Sequence, residues 1–280
     1  MSGSSSDVVR PAKPSGARTP STDNLLSPWP KISLKSGGIV LLIMAVYAWA
    51  MTGTESAPSK LIEGFPAIVD IVSRMLPPRV EFWIVAEHFV ETLQMALIGT
   101  TGGIILSLPF ALLAARNISP HPWIYQITRI LLNINRAIPE LIFALMLVAA
   151  VGLGPFGGVL AIAIGSIGSL GKIYAENIEA IDPQQVMAVR ATGAGPLTTF
   201  LYGVLPQVLP VMTSYSIYYF EVSVRAATIL GVVGAGGIGF IIQQYMALFQ
   251  YDLLFGALIF MAIAITLLDR LSDLLRRRIT

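Results

Sequence analysis

The sequence predicts an all-α polytopic membrane protein with about six transmembrane helices. Three observations carry that prediction. First, 55% of the 280 residues are hydrophobic, 12% are charged and the mean hydropathy is +0.73. A soluble domain carries roughly 25% charged residues, so lipid is the solvent for most of this surface. Second, the apolar residues gather in runs approaching the ~20 needed to cross a bilayer. Third, Lys and Arg cluster in a few connections. The same composition excludes several functions. Without cysteine there is no disulfide, thiolate catalysis or Cys-ligated zinc. Two histidines, His88 and His121, do not make a metal site, and no catalytic set is expected. A formal charge of +2 gives no reason to expect nucleic acid.

Residues 1–35 are rich in Ser, Pro and Gly, carry Arg10, Lys13, Arg18, Lys31 and Lys35, and lack an apolar core. They read as a disordered cytoplasmic tail, not a signal peptide. The remainder, 36–280, is the membrane domain. Its first span, 36–53, is short. Between Glu55 and Glu87 the chain is mixed, with Phe65, Ile68, Val69, Val72 and Met75 at helical spacing, which fits an amphipathic segment on the membrane surface. The second span, 88–115, is long. The stretch 116–136, with Trp123, Tyr125, Ile127, Ile130 and Leu131, reads as an interfacial helix. The third span is 137–151, and Gly152, Gly154, Pro155, Gly157 and Gly158 make a tight turn before the fourth, 159–175. A polar insert fills 176–205. The fifth span, 206–224, precedes a glycine-rich break over 231–239, and the sixth is 252–268. With six spans, Arg10 to Lys35, Arg116 to Arg136, Lys172 with Arg190, and Arg270 to Arg278 all fall on one side. By the charge rule that side is the cytoplasm, and both termini lie there.

Within the insert, Asp182 can cap a helix whose first position is Pro183. Gly193 ends that helix, and Pro196 opens a second with Leu197, Phe200, Leu201 and Val204 as its apolar stripe. The expected product is a rigid helical hairpin over about 182–206. The spacing A-x(4)-G-A-x(5)-F-x(4)-L-P, here Ala188, Gly193, Ala194, Phe200, Leu205 and Pro206, resembles the cytoplasmic coupling loop of bacterial ABC-importer permeases. That family opens the motif with Glu-Ala-Ala, where this chain has Met187, Ala188 and Val189. Two further stretches resemble the phosphonate-transporter permeases: Phe220 to Gly239, and Arg136-Ala137-Ile138-Pro139-Glu140-Leu141 followed by Gly152-Leu153-Gly154-Pro155. The resemblance spans about 87–270. It implies the type I ABC importer permease fold in the bacterial inner membrane, acting as a homodimer. It implies two ATPase subunits docked on Met187, Ala188, Arg190, Thr192, Gly193, Ala194, Phe200, Leu205 and Pro206. ATP and Mg2+ would sit on those subunits, with no cofactor on this chain. An extracytoplasmic binding protein would deliver phosphonate, phosphite or phosphate.

Four apart at the end of the fifth span, Glu221 and Arg225 share a helix face and are expected to pair. Ionisable groups at membrane depth face a cavity or a partner, so Glu221, Arg225 and the nearby Gly236 and Gly237 are the candidate substrate pathway. The alternative is a neutralised pair that locks span five to a neighbour. Arg136 and Glu140, four apart around Pro139, are candidates for the cytoplasmic exit or for anchoring span three at the interface. A phosphate loop is excluded, because no Lys follows the glycines of 231–239 and Gly171-Lys172 lacks the rest of the motif. Rival readings are a permease of the same build for another solute, such as methionine, and an ion-coupled secondary transporter. The latter needs intramembrane carboxylates and repeats, and this chain offers few acids and no repeat.

Overall fold

The structure, a computed structural model, describes residues 34–54 and 58–279; apart from its last two positions, the expected tail lies outside the described residues. Among the described residues all regular structure is helical: α1 Leu34–Gly53, α2 Pro58–Arg74, α3 Phe82–Ala114, α4 Pro122–Ala137, α5 Glu140–Val151, α6 Pro155–Glu179, α7 Pro183–Ala191, α8 Pro196–Thr199, a π-helical turn Phe200–Val204, α9 Leu205–Leu230, a second π turn Gly231–Ala235, α10 Gly237–Ala247 and α11 Tyr251–Ile279. The chain divides into two units, one up to Pro66 and one from Ala67. In the first unit α1 is apolar all round and exposed from Ser36 to Gly53, Trp49 included, as a lipid-facing helix must be. Helix α2 crosses from one unit to the other. It is amphipathic, with Ile62, Phe65, Ile68, Val69 and Val72 on one side and Lys60, Glu63, Asp70 and Arg74 on the other.

In the second unit α6 is the central helix. At 25 residues it is ~37 Å long, enough to cross a bilayer. Without a hydrophobic force between helices in lipid, close packing depends on small residues. A Cβ on Gly157, Gly165, Gly168 or Gly171 of α6 would run into Val148, Glu140, Asn135 or Leu132 of the α4–α5 pair. On the other side Gly99 and Gly103 of α3 let that helix close onto Ile162 and Ser166. Tyr174, Leu170, Ile162 and Met95 are fully buried between these helices.

The third expected span lies on a bent pair of helices. Helices α4 and α5 meet at 82°. The cause is local: Pro139 lacks an N–H and pushes Ile138 out of the helical region, to φ −90°, ψ 119°. Helix α5 alone, at 12 residues, is ~18 Å long and too short to span. Five helices are therefore long and apolar enough to cross, or six if the bent pair counts as one. The sixth expected span also runs further than 268. Helix α11 continues to Ile279, so Asp269, Asp273 and Arg276 ride on a helix instead of trailing in a loop. At the corner Asn135 enters the backbone ladder of α6. Its Nδ2 donates to Ile164 O (3.1 Å) and its Oδ1 accepts from Gly168 N–H (2.8 Å).

A Cβ at Gly168 would lie 2.5 Å from Asn135 Oδ1 and 2.8 Å from two backbone atoms, Arg136 N and Leu132 O. Gly168→Ala is therefore expected to destabilise by about 1–3 kcal/mol, lowering the melting temperature of the detergent-solubilised protein by about 2–4 °C per kcal/mol. Gly102→Ala, whose Cβ would make ordinary contact with Ala163 at 3.4 Å, is expected to melt with the wild type.

Candidate functional site

The insert folds as a capped hairpin. Asp182 Oδ1 accepts from Gln184 N–H at 2.8 Å, Pro183 is the first residue of α7, and Gly193 closes it at φ +81° with its N–H on Arg190 O (3.0 Å). That left-handed conformation suits glycine, which has no Cβ to strain. Helix α8 then runs into α9 through the π turn, where Leu205 N–H reaches back five residues to Phe200 O. Pro206 has no N–H to continue the α ladder there, and such wide turns recur at functional places in helices. Gly203 in the turn brings α7 close: a Cβ would sit 3.3 Å from Val186 Cα. Gln207 ties the base, accepting from Asp182 N–H (2.9 Å) and donating to Gly203 O (2.6 Å). Met187, Ala188, Arg190, Thr192 and Gly193 are exposed, Ala194, Phe200 and Leu205 are half-buried, and Pro206 is exposed.

The hairpin stands on a clamped floor. Glu179, ending α6, accepts from Arg116 N–H (2.7 Å) and from Arg129 Nη2 (2.9 Å). Arg129 Nε donates to Ala114 O (3.1 Å), and Asn117 Nδ2 to Ile178 O (2.6 Å). The ends of α3 and α6 are thus bound to each other and to the middle of α4. An open cavity of ≈ 510 Å³ lies between this floor and the hairpin, lined by Asn117, Glu179, Val186, Arg190 and Phe200 among others.

The charges of α9 are arranged differently from the expected intrahelical pair. Glu221 does not pair with Arg225. Its carboxylate, 9% exposed, accepts from Arg276 of α11 at 2.6 Å, while Arg225, 47% exposed, donates to both oxygens of Asp269 at 2.7 and 2.6 Å. Helices α9 and α11 pack side by side, so each charge finds an opposite charge across the seam at shorter range than along its own helix. Arg276, read from sequence as a topology signal, is the half-buried partner of buried Glu221.

The glycine-rich break is a sharp one. Gly234, Gly236 and Gly237 have φ of +96°, +81° and +68°, and Val233 is non-helical as well. Helix α10 starts immediately after it. Its first N–H groups are met by α3: Glu91 Oε2 accepts from Gly237 N–H (2.9 Å) and Thr92 Oγ1 from Ile238 N–H (2.8 Å). Gly154 N–H donates to Gly234 O at 3.0 Å.

Arg136 and Glu140 lie on different helices. The corner puts Arg136, exposed, in the last turn of α4 and Glu140 at the start of α5. Glu140 accepts from Tyr219 OH of α9 at 3.1 Å. Sequence reasoning missed Glu91, Asn135, Gln207 and Asp269. Glu91 and Gln207 were visible as polar residues inside apolar runs. Asp269 was lost because the sixth span was ended one residue before it.

Residues 107–280 match the family of binding-protein-dependent transport system inner membrane components. The chain is 40% identical over 241 residues to the phosphite transport system permease protein PtxC of Stutzerimonas stutzeri, covering 85% of each. It is 41% identical over 220 residues to the phosphate-import permease protein PhnE of Mycolicibacterium smegmatis (strain ATCC 700084 / mc(2)155), covering 77% of this chain and 41% of that one. In three dimensions it resembles a chain of the MetNI methionine ABC transporter in an inward-facing form. The TM-score is 0.61 at 23% identity, over 71% of this chain and 97% of that one, a likeness of fold.

The seam gives a discriminating exchange. Glu221→Arg alone places two cations together at depth, and unpaired charge there costs about 2.5–3.5 kcal/mol on insertion scales. Combining it with Arg276→Glu is expected to restore the yield and melting temperature of the purified protein. Combining it with Arg225→Glu is expected to leave both depressed, because residue 221 would still face Arg276 and residue 225 would face Asp269.

Proposed function

This chain belongs to the family of binding-protein-dependent transport system inner membrane components, and from that premise we propose that it is the membrane-spanning subunit of an ATP-driven importer of a phosphorus oxyanion: phosphite, phosphonate or phosphate. As a permease subunit it carries out transport, not chemistry. Its ATPase and its substrate-binding protein are separate partners. The carrying observation is the hairpin, capped by Asp182, closed by Gly193 and tied by Gln207 to the start of α9. A partner pressing on exposed Met187, Ala188, Arg190 and Thr192 meets a rigid knob, and Gln207 passes its displacement into α9.

Two copies of the chain pair, since each supplies one hairpin and two ATPase subunits need one apiece. ATP and Mg2+ bind those subunits, and their closure draws the two hairpins together. Both termini and the hairpin face the cytoplasm, which agrees with the clustering of Arg116, Arg129 and Arg190. The anion passes along α9 near Arg225 and the break at Gly236 and Gly237, leaving past Arg136 and Glu140. Arg225 already serves Asp269, so it offers an approaching dianion only part of its charge. That suits a pathway that must release what it attracts. The phosphorus oxyanion is favoured over methionine because relatives near 40% identity are named for phosphite and phosphate, whereas the methionine transporter shares the fold at 23%.

The test is uptake of labelled phosphite, phosphate and methylphosphonate by vesicles holding the tagged complex, with ATP depleted while the ion gradient is clamped. Uptake that survives depletion would reject the ATP-driven reading, and competition by methionine alone would reject the substrate class. In the same vesicles Gly193→Val, which costs about 1 kcal/mol at a left-handed position, is expected to insert normally and hydrolyse ATP but lose uptake. Single cysteines at 187–198 are expected to crosslink to the ATPase and those at 58–80 to give none.

A further inference from the structure

Helix α10 is capped from outside its own chain segment. The residue before it, Gly236, has no side chain to offer, and the first backbone donors go instead to Glu91 and Thr92 of α3. Oε2 of Glu91, the oxygen that takes Gly237 N–H, also lies 3.1 Å from His88 Nδ1. That contact puts the imidazole within hydrogen-bond reach of the carboxylate and helps hold it in place. Thr92 is fully buried and anchors its own hydroxyl on His88 O at 2.9 Å. The segment just before α10 holds Gly234, Gly236 and Gly237 at positive φ, where glycine turns at little steric cost. A pivot therefore sits beside a cap that another helix supplies. Moving α9 and α10 off α3 leaves two N–H groups without partners in a membrane domain, which is costly. Keeping them on α3 satisfies both.

We infer that Glu91 is a positioning residue for transport, latching the glycine break to α3 through Gly237 N–H so that the break opens only when α9 is driven. The inference rests on the transport reading above. Two features fit a latch better than a fixed joint. The carboxylate is about 30% exposed beside an open cavity lined by Trp83, Glu87, His88 and Gln94, so its own charge stays solvated when it lets go. Gly236 also leaves just enough room: a Cβ there would stand 3.0 Å from Glu91 Oε1.

The chain has no cysteine, so Val233→Cys, half-buried at the break, makes a single reporter. Its rate of reaction with a membrane-impermeant maleimide is measured on the purified, nucleotide-free complex in nanodiscs. Glu91→Ala is expected to raise that rate about tenfold, the low end of what a lost hydrogen bond to a charged group yields. Glu91→Gln, whose amide oxygen still accepts from Gly237 N–H but without the charge, should fall between wild type and Glu91→Ala. An unchanged rate in Glu91→Ala overturns the latch. So does a Glu91→Gln rate equal to that of Glu91→Ala, since the site would then need the charge and not the bond. Labelling requires no substrate, so failure of phosphite uptake by the unmodified complex would count against the transport reading and leave this measurement standing.

Discussion

Lipid offers a peptide backbone no hydrogen-bond partner, so a chain that crosses it must satisfy each N–H and C=O internally. A straight helix does this by itself. This chain repeatedly departs from straight helices, and several departures are mended by a polar side chain from a neighbouring helix. Asn135 bonds to Ile164 O and Gly168 N–H of α6 beside the corner at Pro139. Glu91 and Thr92 receive the first donors of α10 after the glycine break. Gln207 bridges the π turn to the cap of α7. The irregular places are where an element can bend, and the mending residues decide which bends are held.

That constraint explains the glycines as well. A side chain can enter another helix's ladder only if that helix lets it approach. Gly168 admits Asn135, Gly165 admits Glu140, and Gly236 clears space for Glu91. Small residues and polar residues therefore work together: the former set the distance between backbones and the latter use it.

Helix α9 joins the two ends of this system. At its start lies the hairpin with its π turn, and at its finish the glycine break and α10. Along its length Tyr219 reaches Glu140, Glu221 reaches Arg276 and Arg225 reaches Asp269. A displacement of the hairpin has one continuous helix to travel, and its cross-links are ion pairs and single hydrogen bonds instead of fused loops. Such links can part and re-form as units, which is what a two-state transporter requires. The floor of Glu179, Arg129 and Arg116 holds α3, α4 and α6 together beside the hairpin, giving α9 something fixed to move against.

Local chemistry was legible in the sequence because it depends on neighbours a few residues away. Apolar runs marked the spans. Asp182, Pro183, Gly193 and Pro196 marked the hairpin, and glycines marked the break, since caps, turns and left-handed positions have short-range causes. What sequence spacing could not decide was which partner a charge takes. Glu221 and Arg225 are well placed to pair along one helix, yet α11 lies close enough to give each a better-oriented partner. Arg136 and Glu140 have the same spacing, but Pro139 turns the chain by 82° between them. Glu91 reads as an isolated acid in an apolar run until α10, some 146 residues later, brings it a backbone donor. The sequence by itself determined where the chain is apolar, where it must turn and how each turn is capped. Only the tertiary structure decided which helices stand together, because ion pairs and caps are chosen by distance in space, and distance along the chain does not fix it.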